Sequence, residues 1–364
     1  MENQTKKIKI LIAVPSLECG GLERNVVSIC NYINNGKYET TLVIVNNENP
    51  FYTVTNLSVD VINLKKKKVS SSIPDFLKII KTKKPDIILT AANHLNLLFA
   101  VTKWMFPPKI KFIARESSIV SINAKRNKFP FLFQLLLKKF YRKFDQIVCQ
   151  SEFMRNDLIK HYHIPEANIK VINNAVLLPD YKLTADTSAD HIHQYITVAR
   201  LSEEKGIDRI IRSLKLTKKK FHYTIIGDGP LKNTLKALVK QLNMEDQVTF
   251  FGPSALPYKV IYNPDLFLFG SHFEGFPNVL LEANALGIPV VSFKAPGGIA
   301  EVIADFKNGI LVENDNEPAF ATAVDKAVDF PFDRKKIQLD TIEYYSPNKI
   351  KLQWESVFIS VFSN

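Results

Sequence analysis

Cysteine is scarce. Cys19, Cys30 and Cys149 are the only three in 364 residues and no Cys-x-x-Cys occurs, which excludes a disulfide framework and a thiolate zinc site. Long apolar runs are missing as well: the best candidate, Leu95 to Phe106, is interrupted by Lys103 and falls short of the ~18 residues a membrane span requires. Met1 is followed by Glu2 and lysines, which is not a signal-peptide pattern, so the expectation is a cytoplasmic protein. There is no G-x-G-x-x-G either: in Gly227-Asp228-Gly229-Pro230 the place of a third glycine is taken by Lys232, which disfavours a nicotinamide dinucleotide site.

What is present is ordinary globular composition, 46% hydrophobic and 23% charged, in a chain longer than the roughly 250–300 residues one core usually covers. Two domains follow. The net charge of +12 is unevenly placed: Met1 to Asp180 carries 27 Lys/Arg against 14 Asp/Glu, whereas Tyr181 to Asn364 carries 21 against 22. Such asymmetry suits a polyanion or an anionic membrane surface as partner of the first half, with lysines on solvated faces as the plain alternative.

Lys9 to Val14 is a continuous apolar strand running into a Pro/Ser/Gly loop and then a helix near Leu22. The unit repeats, with strands expected at Thr40–Val45, Val59–Leu64, Asp86–Thr90, Lys111–Ala114, Gln146–Cys149 and Ile169–Ile172. A polar stretch from Pro179 to His193 reads as a linker, after which strands at Gln194–Val198, Phe221–Ile226, Val248–Phe251, Leu266–Phe269, Pro289–Ser292 and Gly309–Val312 alternate with helices over Ile207–Leu216, Leu231–Leu242 and Asn278–Leu286. Apolar runs of this kind are strands buried on both faces, so the fold class is α/β with two doubly wound parallel sheets. The expected domains are 1–180 and 181–345, with a closing helix at 346–364. Open sheets of this type bind ligands beyond the carboxyl ends of their strands, and a cleft between the two is the expected site.

Four stretches could carry chemistry. Gly20-Gly21 lies between strand and helix, where backbone N–H groups favour an anion; an ordinary tight turn explains it equally well. Arg200 and Lys205 flank the short loop after Gln194–Val198 and could grip a diphosphate, or the lysine could pair with Glu203 and Glu204. In Ser271-His-Phe-Glu274-Gly-Phe-Pro-Asn-Val-Leu-Leu-Glu282, the two carboxylates bracket a helix start at Gly275 to Asn278, an arrangement that suits a ligand part sugar and part phosphate, with a turn and helix bearing two solvated acids as the plain alternative. The Gly227 loop reads as a turn whose Pro230 opens the next helix.

The order GGLER, ARLSEEKG, IIGDGP, FFG, SHFEGFPNVLLEANALGIPVV and GGIAEVI resembles the retaining nucleotide-sugar glycosyltransferases of family 4, which have the two-Rossmann GT-B fold. The resemblance spans nearly the whole chain, and the Glu-x7-Glu segment is its most specific part. It implies that Arg200 and Lys205 hold the donor diphosphate, Glu274 contacts the transferred sugar, Glu282 binds the ribose, Gly275, Phe276, Pro277 and Asn278 line the donor with backbone, and Gly20 and Gly21 approach the diphosphate. It also implies front-face attack without a carboxylate nucleophile, no cofactor and no metal, in keeping with the lack of Asp-x-Asp. One departure stands out: where many members carry a histidine after the strand Lys111–Ala114, this chain has Arg115-Glu116, so a sugar or acceptor contact passes to Arg115 or Glu116, or to His94 after the preceding strand, unless Arg115 and Glu116 form a local ion pair.

The resemblance implies a UDP-sugar donor and a saccharide acceptor, lipid-linked in surface polysaccharide synthesis. Basic clusters at Lys65–Lys68, Lys81–Lys84, Lys125–Lys128 and Lys138–Lys143, the last in FPFLFQLLLKKFYRKF, suit an amphipathic helix bearing Phe131, Leu135, Phe140 and Phe144 on the inner face of the cytoplasmic membrane. A helix packed on its own sheet is the alternative. A nucleotide-sugar epimerase, a phosphorylase or a non-enzymatic basic binder are the competing functions; no nucleic-acid-binding motif supports the last.

Overall fold

The apolar runs become two fully parallel sheets in a computed structural model that describes residues 6–176, 192–254, 256–260 and 263–363. The first contains β1 (Ile8–Val14), β2 (Tyr38–Ile44), β3 (Val59–Asn63), β4 (Ile87–Ala91), β5 (Lys111–Arg115), β6 (Gln146–Cys149) and β7 (Ile169–Val171) in the order β3-β2-β1-β4-β5-β6-β7. The second contains β8 (His193–Val198), β9 (Phe221–Ile226), β10 (Val248–Gly252), β11 (Leu266–Phe269), β12 (Val290–Phe293) and β13 (Gly309–Val312) in the order β10-β9-β8-β11-β12-β13. Central strands such as β4 and β11 are buried at every residue, because helices cover both faces of a parallel sheet.

The strand order reverses beside β1 in one sheet and beside β8 in the other. At such a switch point neighbouring connections leave for opposite faces and open a crevice at the strand ends. The loops at these two places carry Gly20 and Gly21 after β1, Asn93 and His94 after β4, Arg200 to Lys205 after β8, and Ser271 to Glu274 after β11.

The chain divides into two compact units, 1–175 with 347–364, and 176–346. The segment expected as a linker, Pro179–His193, lies outside the described residues as far as position 191, and so does the expected boundary at 180/181. The last helix, Pro347–Ser363, packs on the first unit: Ile350, Trp354, Val357, Phe358 and Val361 join Ile10, Ile12, Tyr38 and Leu42 in one core. Phe358 meets Tyr38 edge-on with ring centroids 5.7 Å apart. Each large side chain so buried contributes roughly 1.5–3 kcal/mol.

The second unit is built on amphipathic helices against its sheet. In Ile207–Leu214 the residues Ile207, Ile210, Ile211 and Leu214 repeat at helical spacing and are all buried. Two helices not recognised in the sequence, Glu317–Asp329 and Arg334–Tyr344, complete it. Pro230 does not open a helix: it sits in a turn, and the helix starts at Lys232.

The segment FPFLFQLLLKKF forms the helix Pro130–Phe140, in which Leu137 is the buried residue while Phe131 is 82% exposed and Leu132 and Leu135 are each 52% exposed. Phe144 departs from the expectation. It lies past a short turn, is 3% exposed, and packs edge-on against Tyr141, so it is part of the core and not of the exposed face. Among the described residues no helix is long and apolar enough to cross a membrane.

Candidate active site

In the second unit the loops after β8 and β11 are drawn together, as adjacent strands at a switch point require. The His272 backbone N–H donates to the Glu204 carbonyl at 2.8 Å. Lys205 donates its ammonium to Glu274 Oε1 at 2.6 Å, and the Ser271 hydroxyl donates to the same oxygen at 2.8 Å. The lysine therefore does not take Glu203 or Glu204 as its ion-pair partner; the Glu204 carboxylate accepts from Ser202 at 2.6 Å. Side chains of Lys205 and Glu274 are 26% and 16% exposed, which shields the pair in part and leaves both within reach of a ligand.

Glu274 is also fixed through its backbone. Its N–H donates to the Pro296 carbonyl at 3.0 Å, and its own carbonyl accepts from Gly298 at 3.3 Å, so the loop after β12 backs the loop after β11. Arg200 is exposed on the loop after β8, between the buried Leu201 and the end of the strand. The Leu201 N–H donates to the Asp228 carbonyl at 3.0 Å, and the Leu231 N–H donates to the Leu201 carbonyl at 2.9 Å. The Gly227–Pro230 turn thus supports the Arg200 loop.

Gly275 follows Glu274, and the helix Asn278–Ala285 starts three residues later with Pro277 as its N-cap, so no capping side chain covers the helix start. Phe276 places its ring in the core beside Tyr345, 5.8 Å between centroids, and Gly275, Phe276 and Pro277 are all buried. Glu282 lies inside that helix and is 8% exposed.

In the first unit Gly20 caps the helix Gly21–Tyr32, and Glu23 folds back over it: a Cβ on Gly20 would collide with Glu23 Oε2. Burial raises the Glu23 pKa, with Glu18 adding to the shift and Arg115 opposing it. His94 is exposed in the first turn of the helix Asn93–Thr102, whose N-cap Ala92 has φ 89°. A non-glycine residue at such a φ is strained, and strain of this kind collects at functional sites.

Arg115 and Glu116 do not pair with each other. Arg115 is 2% exposed and donates through Nη2 to Asn174 Oδ1 at 2.9 Å, and Asn174 donates in turn to Gln150 at 3.1 Å. Burial lowers the Arg115 pKa to about 10. Glu116 is fully buried, and its Oε1 accepts from Asn96 at 2.7 Å and from the Tyr141 hydroxyl at 2.8 Å. Burial raises its pKa to about 7 although both hydrogen bonds favour the charged form. Arg115 also lines a pocket with Asn25, Asn173, Asn174, Ile350 and Trp354.

The structure thus gathers Lys205, Glu274 and Ser271, sets Arg200 on the same loop as Lys205, and ties Glu116 into the interior. Ser271, Arg209 and Glu23 were not assigned roles from sequence. Glu23 alone gave a local signal, an acid in the first turn of a helix.

Residues 19–178 match the family described as Glycosyltransferase Family 4, and residues 188–343 match Glycosyl transferases group 1. The chain is 30% identical over 321 residues to the N-acetylgalactosamine-N,N'-diacetylbacillosaminyl-diphospho-undecaprenol 4-alpha-N-acetylgalactosaminyltransferase of Campylobacter jejuni, covering 85% of this chain and 87% of that protein. It is 23% identical over 362 residues to the amylovoran biosynthesis glycosyltransferase AmsD of Erwinia amylovora, covering 96% and 99%. Among solved structures, Anabaena HepE in complex with UDP superposes with a TM-score of 0.80 at 19% identity, covering 97% of this chain and 100% of that one.

Proposed function

Because the chain belongs to the family 4 glycosyltransferases and has their GT-B fold, we propose that it is a retaining, metal-independent enzyme that moves a hexose or N-acetylhexosamine from a UDP-sugar to a lipid-linked saccharide in surface polysaccharide synthesis. The observation that carries this reading is the Lys205–Glu274–Ser271 cluster at the switch point of the second sheet, with the exposed Arg200 on the same loop as Lys205.

Arg200 and Lys205 hold the diphosphate, the arginine as a fork and the ammonium as a point charge. Glu274 accepts hydrogen bonds from hydroxyls of the transferred sugar, Glu282 binds the ribose, and the backbone from Gly275 to Asn278 lines the donor. Within the first unit, Gly20, Gly21 and His94 stand at the carboxyl ends of β1 and β4 and are its candidate ligand contacts, whereas Arg115 and Glu116 are buried. An acceptor hydroxyl then attacks the anomeric carbon on the side of the leaving group. As the bond from that carbon to the diphosphate oxygen breaks, the departing diphosphate oxygen takes the hydroxyl proton. The two cations offset the negative charge that grows on the leaving group, which is where a fixed charge accelerates most. The undecaprenol-linked substrate named for the Campylobacter relative and the UDP bound by HepE support the choice of acceptor and donor.

The test is a panel of nucleotide sugars scored by thermal shift, followed by NMR of the product made from the best donor. A UDP-sugar that raises the unfolding temperature and gives a product with the donor's anomeric configuration is expected. Donor consumed without an acceptor would point to an epimerase, and an inverted product would refute the retaining mechanism.

The same proposal includes docking on the cytoplasmic leaflet. Phe131, Leu132 and Leu135 are exposed on a helix that carries Lys138 and Lys139 in its last turn and follows Lys125, Arg126 and Lys128, a pairing of apolar and basic side chains that suits an anionic interface at roughly 1 kcal/mol per cation. Vesicles containing anionic phospholipid should carry the protein upward in flotation. Binding should weaken with added salt and drop further in a Phe131→Ser, Leu135→Ser variant; absence of salt-sensitive flotation would remove membrane docking from the reading.

A further inference from the structure

Resting on the assignment of Lys205 and Glu274 to the donor, we propose that Arg209 is a positioning residue of the active site: its guanidinium fixes the loop that carries Ser271 and Glu274 at the place where Lys205 meets it. Arg209 lies in the helix Ile207–Leu214, four residues after Lys205, and is 2% exposed. Its Nε donates to the Gly270 carbonyl at 2.7 Å and its Nη2 to the Ser271 carbonyl at 2.6 Å. Its Nη1 donates to Asn314 Oδ1 at 2.9 Å and to Asp315 Oδ1 at 2.8 Å. The guanidinium carbon stands 4.0 Å from the centroid of the Phe293 ring, and Phe293 stacks on Phe320 at 4.4 Å.

One planar group therefore binds the carbonyls at the start of the Glu274 loop and the loop after β13, and rests on an aromatic floor that fixes its height. The cation Lys205 and the clamp Arg209 belong to one short segment. Any displacement of that segment moves the ammonium and the carboxylate loop together, so their 2.6 Å contact is kept. A lysine at 209 could keep the charge but not the fork that reaches both loops.

The experiment compares wild type with Arg209→Ala and Arg209→Lys, using the donor identified by the panel at a temperature below all three unfolding midpoints. A loop displaced by about 1 Å costs on the order of 10²-fold, so kcat for Arg209→Ala should fall by about that factor while the donor KM changes much less. Arg209→Lys should stay well below wild type. Millimolar guanidinium ion should restore part of the activity of Arg209→Ala and none of that of Lys205→Ala, a rescue that a purely structural loss would not show.

Amide exchange gives a readout independent of turnover: residues 270–275 should exchange faster in Arg209→Ala and Arg209→Lys. Unchanged exchange in that segment, or a kcat loss no larger than the loss of folded protein and without guanidinium rescue, would overturn the proposal. A wild type that transfers no sugar would instead refute the functional reading, while the exchange result would still decide whether Arg209 holds the loop.

Discussion

Lys205→Ala should transfer sugar roughly 10²–10³ times more slowly than wild type, the usual cost of losing one fixed charge aimed at a transition-state anion. The size of the effect follows from preorganisation. Lys205 is already held at 2.6 Å by Glu274, so the ammonium waits in place and no reorganisation is needed as charge develops on the diphosphate. An ammonium has three donors, and one of them can keep Glu274 while another takes a phosphate oxygen.

Folding should hardly change. The pair is partly open to water, so its loss costs no more than about 1 kcal/mol. That corresponds to about 2–4 °C in a domain of this size. Glu274→Ala should also lower kcat strongly, because Lys205 and Ser271 both lose the oxygen that positions them. The check is steady-state kinetics beside a thermal melt. Near-normal turnover in Lys205→Ala would remove the electrostatic role from the assignment.

Gly297→Ala should be nearly as damaging, through the backbone. Gly297 has φ +121°, and a Cβ there would collide with the Glu274 carbonyl oxygen, so either the loop after β12 or the Glu274 backbone must move. Backbone strain at such an angle costs about 1–3 kcal/mol, and a displacement of about 1 Å at Glu274 costs on the order of 10² in kcat. Gly252 separates the two contributions. It has φ +95°, and a Cβ added there would meet nothing within 4 Å, so Gly252→Ala carries the strain without the collision. Gly297→Ala should melt lower than Gly252→Ala, because it adds the collision to the strain, and kcat should fall only in Gly297→Ala; equal kcat in both would show that Glu274 tolerates the shift.

Much of this architecture is legible in the amino-acid sequence alone. Strands such as Gln146–Cys149 and Leu266–Phe269 announce themselves because burial on both faces demands unbroken apolar runs. The closing helix is also legible, but not the unit it packs on, because helical spacing reveals an apolar face and not what covers it. Of the site, Lys205 and Glu274 are visible as residue types at strand ends, yet their contact joins positions 69 apart and leaves no local pattern. Arg209 is hidden for a similar reason: its partners lie on two distant loops, and within its own helix the isoleucines carry the spacing. Phe144 misleads because it continues an aromatic and basic run after the helix that begins that run has ended.

The return of Pro347–Ser363 to the first unit also orders events at the ribosome. Residues 176–346 are contiguous, so that half is complete in sequence as soon as it emerges. The amino-terminal half, although made first, must wait for Trp354 and Phe358 to close its interior. Vectorial synthesis therefore reverses the usual order of maturation, and the earliest-made residues stay longest in need of protection from aggregation.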